Sequence, residues 1–412
     1  MQINLKDPNH YAHLYNEKSL KGKEINILDS TLREGEQCTG ISFTVKQRLQ
    51  IAWMLDYFGV NAIEISPIVS QSHEESFKQM IKAGLNAKLI AHLRALPSDI
   101  DTAVKLDAEW IAMYHSISDI HLRHKLKVTR EQTQERIIKA IEYAKSHGLK
   151  MRFTIEDASR SDPDFLRTIC KEIDKAGANR IGIPDTLGIM QPNGMKKLVE
   201  TVNEVIRIPI DVHCHNDLGL GLANSLAGVE AGADQIHTTI NGIGERVGIA
   251  SLAEASVSLK ILYGVNSQLR FNMLCELSEL LEEYTSVVTP PSRPLVGKDA
   301  YRHKAGTHVA AIISNTAAYE ITPPQTVGNE RKIIFGELSG KNGARYLLNL
   351  FGIKYEKGSD IILSNSLKNL KCGDLFELDL TKENEKIVLK TENKTNNENK
   401  KKGKGGERNE MY

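Results

Sequence analysis

The feature that most constrains the fold of this sequence is a regular alternation of short β-rich runs with amphipathic helical stretches. The β-rich runs are 25–29, 62–66, 88–93, 110–115, 150–156, 180–185, 208–215 and 235–241. Between them lie stretches such as 45–59, 130–148 and 165–177, in which apolar residues recur at helical spacing and a glycine often follows. Eight such units in about 240 residues predict an α/β protein built on a closed (β/α)8 TIM barrel.

A doubly wound open sheet is the competing interpretation. Such a sheet usually has a glycine-rich phosphate turn after its first strand, but here the first strand continues into DSTLREGEQ (29–37). The barrel is therefore favoured, and its chemistry is expected at the C-terminal ends of the strands.

The remainder of the chain divides by composition. The predicted regions are an N-terminal extension (1–23), the barrel (24–265), a helical linker ending in TPPSRP (266–294), a small, mainly helical C-terminal subdomain (295–380) and a tail (386–412). The tail is polar and of low complexity, so it cannot bury enough apolar surface to order itself, and we expect it to be disordered.

Charge and cysteine usage exclude several classes of function. The net charge is +1, so no overall field favours nucleic acid or membrane as a partner. The five cysteines are scattered without a C-x-x-C pair, which is typical of a reducing compartment. The N-terminus has no apolar signal segment, and no run is long enough to span a bilayer. A cytoplasmic protein that binds neither nucleic acid nor membrane is predicted.

The strongest local signal for chemistry is the pair His213 and His215. Residues two apart on a strand face the same side, so both imidazoles can reach one ion. Glu34, just after the first strand, is a carboxylate expected at the same end of the barrel. Two histidines and one carboxylate would leave positions free for a substrate, and a 2-oxo acid can chelate through its keto oxygen and carboxylate.

Further charged and polar residues are expected at this end. Arg33 precedes Glu34 and could stabilise negative charge developing on a carbonyl oxygen. One strand carries polar residues at alternate positions that face the same side: Arg152, Thr154 and Glu156. Burying such side chains inside a barrel is costly unless they have partners. An anionic ligand would be such a partner for the arginine. His92, which ends another strand, could help to hold a carboxylate. Each of these residues could instead be structural, and the glycines of 241–248 could simply allow a tight turn.

Three motifs in order carry a family resemblance: DSTLREGEQ (29–37), HCHNDLG (213–219) and NGIGERVG (241–248). The chain resembles, over roughly 24–350, the metal-dependent Claisen-condensing family that includes homocitrate, 2-isopropylmalate, citramalate and Re-type citrate synthases. The resemblance implies a homodimer that joins acetyl-CoA to a 2-oxo acid and releases CoA. It also implies one divalent cation (Mg, Mn, Co or Zn).

The resemblance implies a role for each matching residue. Glu34, His213 and His215 would bind the metal, Arg33 would polarise the keto oxygen, and the residues implied at the substrate are Gln37, His92, Arg152, Thr154 and Thr186. Glu156 is implied to be catalytic. His308 and Tyr319 match residues that the C-terminal region contributes across the dimer, and His308 is implied to help deprotonate the acetyl-CoA methyl group. GELSGKNG (336–343) is a candidate contact for the CoA nucleotide.

Among the members, homocitrate synthase is the closest in pattern. REGEQ, His92, Arg152 and HKAG before His308 resemble that enzyme, which implies 2-oxoglutarate as the acid and a first step of lysine biosynthesis. A distal carboxylate also needs a cation, as Arg152 would provide. Met113 departs from the polar residue usual at a strand end, and 118–132 is more similar to the isopropylmalate branch. Re-citrate synthase (oxaloacetate) and 2-isopropylmalate or citramalate synthase are the alternatives.

Two other classes of function remain open on sequence grounds. A retro-aldolase or carboxyltransferase could use the same barrel, a metal and a 2-oxo acid, although the segment with His308 and Tyr319 speaks against it. A binding role without catalysis, carried by the basic tail, would make the residues after about 385 essential and Glu34 dispensable.

Overall fold

A computed structural model of the protein describes residues 9, 11–12, 15–16, 20–350, 352, 354 and 358–368. The predicted tail (386–412) and most of the predicted N-terminal extension (1–23) lie outside the described residues. The chain forms two compact units. The barrel unit runs to Tyr301 and includes Pro323–Glu330, and the C-terminal unit contains Arg302–Thr322 and the residues from Arg331 onward.

Eight parallel strands close into a barrel in sequence order, so the predicted fold class is confirmed. The strands are β1 (Asn26–Asp29), β2 (Ala62–Ile65), β3 (Lys88–Arg94), β4 (Trp110–Ser116), β5 (Lys150–Glu156), β6 (Arg180–Asp185), β7 (Ile210–Cys214) and β8 (Gln235–Thr238). The first and last strands pair from Asn26 with Gln235 to Asp29 with Thr238, which completes the closure.

Helices follow the strands, and all of them except the shortest, Asp119–His121, have buried residues. They are α1 (Val45–Phe58), α2 (Gln71–Ala83), α3 (Pro97–Lys105), the short α4 (Asp119–His121), α5 (Arg130–Ser146), α6 (Pro163–Ala176), α7 (Pro192–Asn203), α8 (Gly221–Glu230), α9 (Leu252–Ile261) and α10 (Leu274–Thr285). Capping boxes begin α1 at Thr44 with Gln47 and α5 at Thr129 with Gln132. A π-helical turn, Leu122–Leu126, continues α4.

The pleat of the strands separates an apolar layer inside the barrel from a polar layer above it. Leu28, Ala62, Ile90 and Ala112 pack together as a small cluster of their own. The next inward position on each of three of these strands, two residues on, is Glu64, His92 or Tyr114, because successive side chains alternate between faces. The barrel therefore places polar groups together at the C-terminal ends of its strands.

Met113 does not belong to this polar layer, and its interpretation as a strand-end position is wrong. It lies in the middle of β4, is fully buried and joins the large apolar core formed with the helices. Its neighbour Tyr114 is the residue of β4 that reaches the mouth of the barrel. The departure at Met113 therefore carries no information about the substrate.

The C-terminal unit is small and mainly helical within its described residues. A two-stranded parallel pair, β9 (Arg302–His303) with β10 (Lys332–Ile333), accompanies the helices α11 (Gly306–Ser314), α12 (Lys341–Leu350) and α13 (Ser359–Lys368). Ala344, Leu347 and Leu348 of α12 pack against Leu363 and Leu367 of α13. Across the described parts of both units, every helix is too short or too polar to cross a lipid bilayer.

Candidate active site

A cavity of about 330 Å³ occupies the C-terminal mouth of the barrel. Its lining is Arg33, Glu34, Gln37, His92, Tyr114, Lys125, Arg152, Thr154, Glu156, Gly182, Pro184, Thr186, His213, His215, His237, Glu245 and Arg246. All of the site residues that the sequence predicted within the barrel are in this lining. Their roles stay predictions, but their convergence on one cavity is a feature of the fold.

Three of these residues are arranged as metal ligands. Glu34, His213 and His215 each offer one ligand atom, these atoms lie within 4.8 Å of one another, and all three residues are buried. The Nε2 atom of His213 is 3.8 Å from Oε2 of Glu34. Nδ1 of His215 is buried without a hydrogen-bond partner among the described atoms. Two imidazoles and one carboxylate suit a divalent cation such as Mg, Mn, Co or Zn, and such an ion would draw these side chains together.

The carboxylate of Glu34 is held in place by its surroundings. The backbone N–H of Glu245 donates a hydrogen bond of 2.9 Å to Oε1, and Nη1 of Arg33 donates one of 2.6 Å to Oε2. Gly244 allows this close approach, because a Cβ atom there would lie 2.7 Å from Oε1 of Glu34. The glycine-rich turn 241–248 thus positions the carboxylate of Glu34, which goes beyond the permissive role considered from the sequence.

We therefore expect Gly244→Ala to displace the Glu34 carboxylate and to weaken binding of Mn²⁺ by about tenfold, the usual cost of disturbing a ligand's support. Titration calorimetry with Mn²⁺ measures this effect. Gly340→Ala is the matched control, because a Cβ at Gly340 would have no neighbour within 4 Å. Equal Mn²⁺ affinity of Gly244→Ala and wild type would show that the turn does not support Glu34.

Glu64 is the main residue of the site that sequence reasoning missed. It is fully buried on β2, accepts a hydrogen bond of 2.6 Å from Nε of Arg33 and another of 2.7 Å from Oγ of Ser30, and forms an ion pair with Nη2 of Arg152. Although burial alone would raise its pKa, Arg33 and Arg152 hold the pKa of Glu64 well below its usual value. The sequence did contain a sign of this role, because a single acidic residue in the apolar run AIEI (62–65) is costly to bury unless it has a partner.

This contact corrects the account of Arg152. We expected an anionic ligand to supply its partner, but Glu64 already pairs with it, and Asp211 lies 3.7 Å from its Nη1 atom. The guanidinium, almost fully buried, also donates to Oγ1 of Thr154 at 3.2 Å. Arg152 is therefore a buried cation within a protein network at the base of the cavity.

His237, on β8, is a second residue that the sequence did not reveal. Its Nδ1 atom lies 3.3 Å from Nδ1 of His213, and its Nε2 atom lies 3.2 Å from Oδ2 of Asp211 and 2.9 Å from Nη1 of Arg152. Burial lowers the pKa of His237, and the charge of Arg152 lowers it further. His237 therefore connects His213 to the buried charges beneath the cavity.

His92 lies at the side of the cavity and stacks on the ring of Tyr114, with 5.0 Å between ring centroids. Its Nδ1 atom is 3.3 Å from Oγ of Ser66. Burial, helped by the charge of Arg33, lowers the pKa of His92 to about 3. The imidazole is therefore neutral at physiological pH and can donate or accept a hydrogen bond at a substrate.

The depressed pKa predicts a dependence of stability on pH. The folded state keeps His92 neutral, whereas an unfolded chain protonates it below about pH 6.5. Its contribution to stability is therefore complete above about pH 6.5 and is lost as the pH falls towards about 3. We expect wild type to lose about 2 kcal/mol more unfolding free energy than His92→Gln between pH 7 and pH 5. Urea denaturation of metal-free protein measures this, and equal losses would contradict it.

The outer part of the cavity is lined by ion pairs and hydrogen bonds between loops. Nζ of Lys125 donates to Oε1 of Glu156 at 2.5 Å. Oγ1 of Thr186 accepts a hydrogen bond of 2.9 Å from the backbone N–H of Asp157, and Arg246 donates to the backbone oxygen of Thr186 at 2.8 Å. Gln37 reaches the cavity from the turn Gly35–Gln37 that follows β1.

The other two predicted residues lie together in the C-terminal unit. His308 is on α11, Tyr319 follows it after a short turn, and their rings stack with 3.9 Å between centroids. Both side chains are exposed. Next to them, Glu320 accepts hydrogen bonds from Arg331 and contacts His303, which fixes the segment that carries Tyr319.

Solved structures with a similar barrel support the fold. Hydroxymethylglutaryl-CoA lyase from Pseudomonas aeruginosa superposes with a TM-score of 0.58 at 18% identity, over 67% of this chain and 97% of that chain. The carboxyl transferase domain of Rhizobium etli pyruvate carboxylase, solved with pyruvate and biocytin, gives a TM-score of 0.51 at 17% identity, over 69% of this chain and 52% of that one. At such identities the likeness concerns the fold alone.

Several curated relatives are much more similar in sequence. A homocitrate synthase from Methanopyrus kandleri is 41% identical over 350 residues, which is 85% of this chain and 87% of the relative. A probable 2-isopropylmalate synthase of the same organism is 42% identical over 80% of this chain and 66% of its own length. The (R)-citramalate synthase of Methanocaldococcus jannaschii is 42% identical over 85% of this chain and 71% of its own.

Two family models match separate parts of the chain. The HMGL-like model matches residues 24–281, and the model described as homocitrate synthase post-HMGL domain-like matches 295–371. The predicted family is therefore confirmed. The chain belongs to the HMGL-like family, in its group of acyl-transferring condensing enzymes.

Proposed function

We propose that the protein condenses acetyl-CoA with 2-oxoglutarate to give homocitrate and CoA, the first step of lysine biosynthesis through 2-aminoadipate. The observation that carries this proposal is the composition of the mouth cavity. It combines a metal-ligand triad with two arginines, the buried Arg152 and the largely buried Arg33, and nearly all of its lining residues are polar or charged. The homocitrate synthase of Methanopyrus kandleri, at 41% identity, supports the same assignment.

The balance of buried charge favours a substrate with two negative charges. Arg33 and Arg152 are balanced by Glu34 and Glu64, so these four side chains are together neutral. The histidines of the lining add no charge, because burial lowers the pKa of His92, His213, His215 and His237. A bound divalent cation would leave a charge of +2, which a dicarboxylate would neutralise and a monocarboxylate would not.

The residue composition of the lining also disfavours an aliphatic substrate. Among the described residues of the mouth cavity, Pro184 is the only one with a purely aliphatic side chain. The branched end of 2-oxoisovalerate would meet charged or hydrogen-bonding groups and leave them without partners, which is strongly unfavourable. The second carboxylate of a dicarboxylate substrate could instead accept hydrogen bonds from His92 or Thr154.

We propose the following roles for these residues. A divalent cation held by Glu34, His213 and His215 would act as a Lewis acid towards the 2-oxo group. Arg33, hydrogen-bonded to Glu34, presents a fixed cation where negative charge develops on the keto oxygen. Glu156, His308 and Tyr319 are the proposed acid–base groups for removal of a methyl proton of acetyl-CoA, with Gln37 and Thr186 at the substrate.

We further propose a cytoplasmic homodimer in which the C-terminal unit supplies His308 and Tyr319 to the active site of the partner subunit. Both rings are exposed and stacked, so they are available to another surface. A mixture of Glu34→Gln and His308→Ala chains tests this arrangement, because subunit exchange would restore part of the activity if sites are shared. No recovery would place each site within one chain.

Release of CoA from acetyl-CoA tests the choice of substrate. We expect turnover with 2-oxoglutarate to exceed turnover with oxaloacetate, 2-oxoisovalerate and pyruvate, measured in parallel with a thiol reagent. Because one methylene distinguishes 2-oxoglutarate from oxaloacetate, the margin between these two is expected to be about 10–200-fold at most. A preference for 2-oxoisovalerate or pyruvate would overturn the argument from charge. An absence of CoA release with all four acids would favour an aldolase or carboxyltransferase.

The second candidate is a Re-citrate synthase acting on oxaloacetate, because that acid has the same two charges. The 2-isopropylmalate and citramalate synthases named among the relatives are as similar in sequence as the homocitrate synthases. The polar lining of the mouth cavity is the specific observation that ranks them lower.

A further inference from the structure

A second and larger cavity, of about 800 Å³, opens beside the mouth cavity at the same end of the barrel. It lies over the ends of β3 and β4 and is walled by the first turn of α3, the π-helical turn 122–126 and α5. Tyr114, Lys125 and Glu156 line both cavities, so the two spaces adjoin. A ligand in the second cavity could therefore present one end to the metal-ligand triad.

The second cavity differs in chemistry from the mouth cavity. Its walls include the aliphatic side chains of Leu96, Pro97, Leu126 and Ala140, which suit an uncharged chain of methylene and amide groups. The side chains of Ser116 and Ser146 add hydrogen-bonding groups. Such walls are poorly matched to a small dicarboxylate.

Basic side chains stand around this cavity, and one of them has no protein partner. Arg94 pairs with Asp99, and Lys139 pairs with Glu135. Arg136, one turn from Ala140 on α5, is exposed and forms neither a hydrogen bond nor an ion pair with any residue that the structure describes. Its guanidinium is therefore available to an anionic group bound in this cavity, where it can bind phosphate through paired N–H donors.

We propose that the second cavity binds the pantetheine arm and phosphates of acetyl-CoA, with the thioester at Lys125 and Glu156 and the phosphates at Arg136. This inference rests on the proposed function, since it takes acetyl-CoA as the co-substrate. The required ligand is long, with a neutral arm and an anionic end, which matches a cavity that combines aliphatic walls with a free guanidinium. The predicted nucleotide contact at 336–343 lies in the C-terminal unit and stays a separate prediction.

The geometry at the junction supports the same orientation. The Lys125–Glu156 ion pair lies where the two cavities meet, with 2.5 Å between Nζ and Oε1. An acetyl group arriving there would have the carboxylate of Glu156 on one side and the 2-oxo acid beyond it. The long coenzyme would then leave the metal-ligand triad free for the smaller acid, because each ligand has its own cavity.

Arg136→Glu tests the inference, with Lys171→Glu as the control. Lys171 is exposed on α6 and lies outside the second cavity. Its replacement by glutamate makes the same change in net charge as Arg136→Glu. We expect Arg136→Glu to raise KM for acetyl-CoA and Kd for CoA by about tenfold, and to leave kcat and KM for the 2-oxo acid unchanged. S-Acetylpantetheine, which lacks the phosphates, should be used equally well by Arg136→Glu and wild type.

The outcomes separate this inference from the proposed function. Unchanged KM for acetyl-CoA in a wild-type-like Arg136→Glu enzyme would overturn the cavity assignment and leave the reaction intact. An equal loss with S-acetylpantetheine would also overturn it, because the arginine would then not act on the phosphates. If wild type releases no CoA with any of the four acids, the proposed reaction fails. A weaker Kd for CoA in Arg136→Glu would even then support the binding site.

Discussion

Glu34→Gln is expected to lower both Mn²⁺ affinity and turnover by more than about a hundredfold. The substitution removes the one negative ligand of the triad, and its effect should exceed the 10–100-fold loss typical of residues that only support a ligand. It also frees Arg33 from a partner at 2.6 Å, so the charge at the mouth of the barrel changes as well. Titration calorimetry with Mn²⁺ and the CoA-release assay measure the two effects.

Glu200→Gln is the matched control for this change. Glu200 is an exposed residue of α7 and lies outside the mouth cavity, so both measurements should resemble wild type. Full activity of Glu34→Gln would remove Glu34 from the metal site. It would also restore the hypothesis that the basic tail, and not the barrel, carries the function.

Arg152→Ala is expected to cost about 3–5 kcal/mol of unfolding free energy and at least two orders of magnitude in turnover of 2-oxoglutarate. The stability loss arises because Glu64, fully buried, would lose one of its two cationic partners. The loss of turnover arises because the negative charge of Glu64 beneath the cavity would lose its Arg152 partner, and Thr154 would lose the hydrogen bond that positions it, and both changes disfavour a second carboxylate. Chemical denaturation and the CoA-release assay measure the two quantities.

A double variant separates folding from chemistry at this position. Arg152→Met combined with Glu64→Met replaces the buried pair by apolar side chains of similar length, which is often neutral or stabilising. We expect the double variant to recover most of the stability and none of the turnover. Recovery of turnover with 2-oxoglutarate would show that Arg152 serves the fold alone.

The barrel and the triad could be predicted because each depends on a local pattern combined with topology. Eight alternating runs specify the closed sheet, and a closed parallel sheet brings all C-terminal strand ends to one mouth. Glu34 after β1 and His213 with His215 at β7 must then converge, even though about 180 residues separate them in the chain. Their ligand atoms do lie within 4.8 Å of one another.

The network beneath the cavity could not be predicted in the same way. Glu64 and His237 are single polar residues in short apolar strands, and their partner Arg152 lies on a third strand. The sequence of one strand does not indicate which side chain of another strand its own side chains will contact inside the barrel. Met113 shows the related difficulty, because the first four residues of β4, Trp110–Met113, are all apolar and their pattern does not reveal which of them point inward.

The relation between the two cavities also depends on tertiary structure. Tyr114 and Lys125 reach the mouth cavity from β4 and from the π-helical turn after α4, and neither stands out in the sequence. Arg136 is one exposed basic residue among many until the fold places it beside the second cavity. Such residues become candidates only when their neighbours and free hydrogen-bonding groups are known.

The most direct test of the metal centre is anomalous diffraction from crystals grown with Mn²⁺ and 2-oxoglutarate. We expect one strong Mn peak per chain at ligand distance from Glu34, His213 and His215, with the 2-oxo acid completing the coordination. A Mn peak at another position would contradict the proposed chemistry. A Glu34 side chain that points away from the two histidines would contradict it as well.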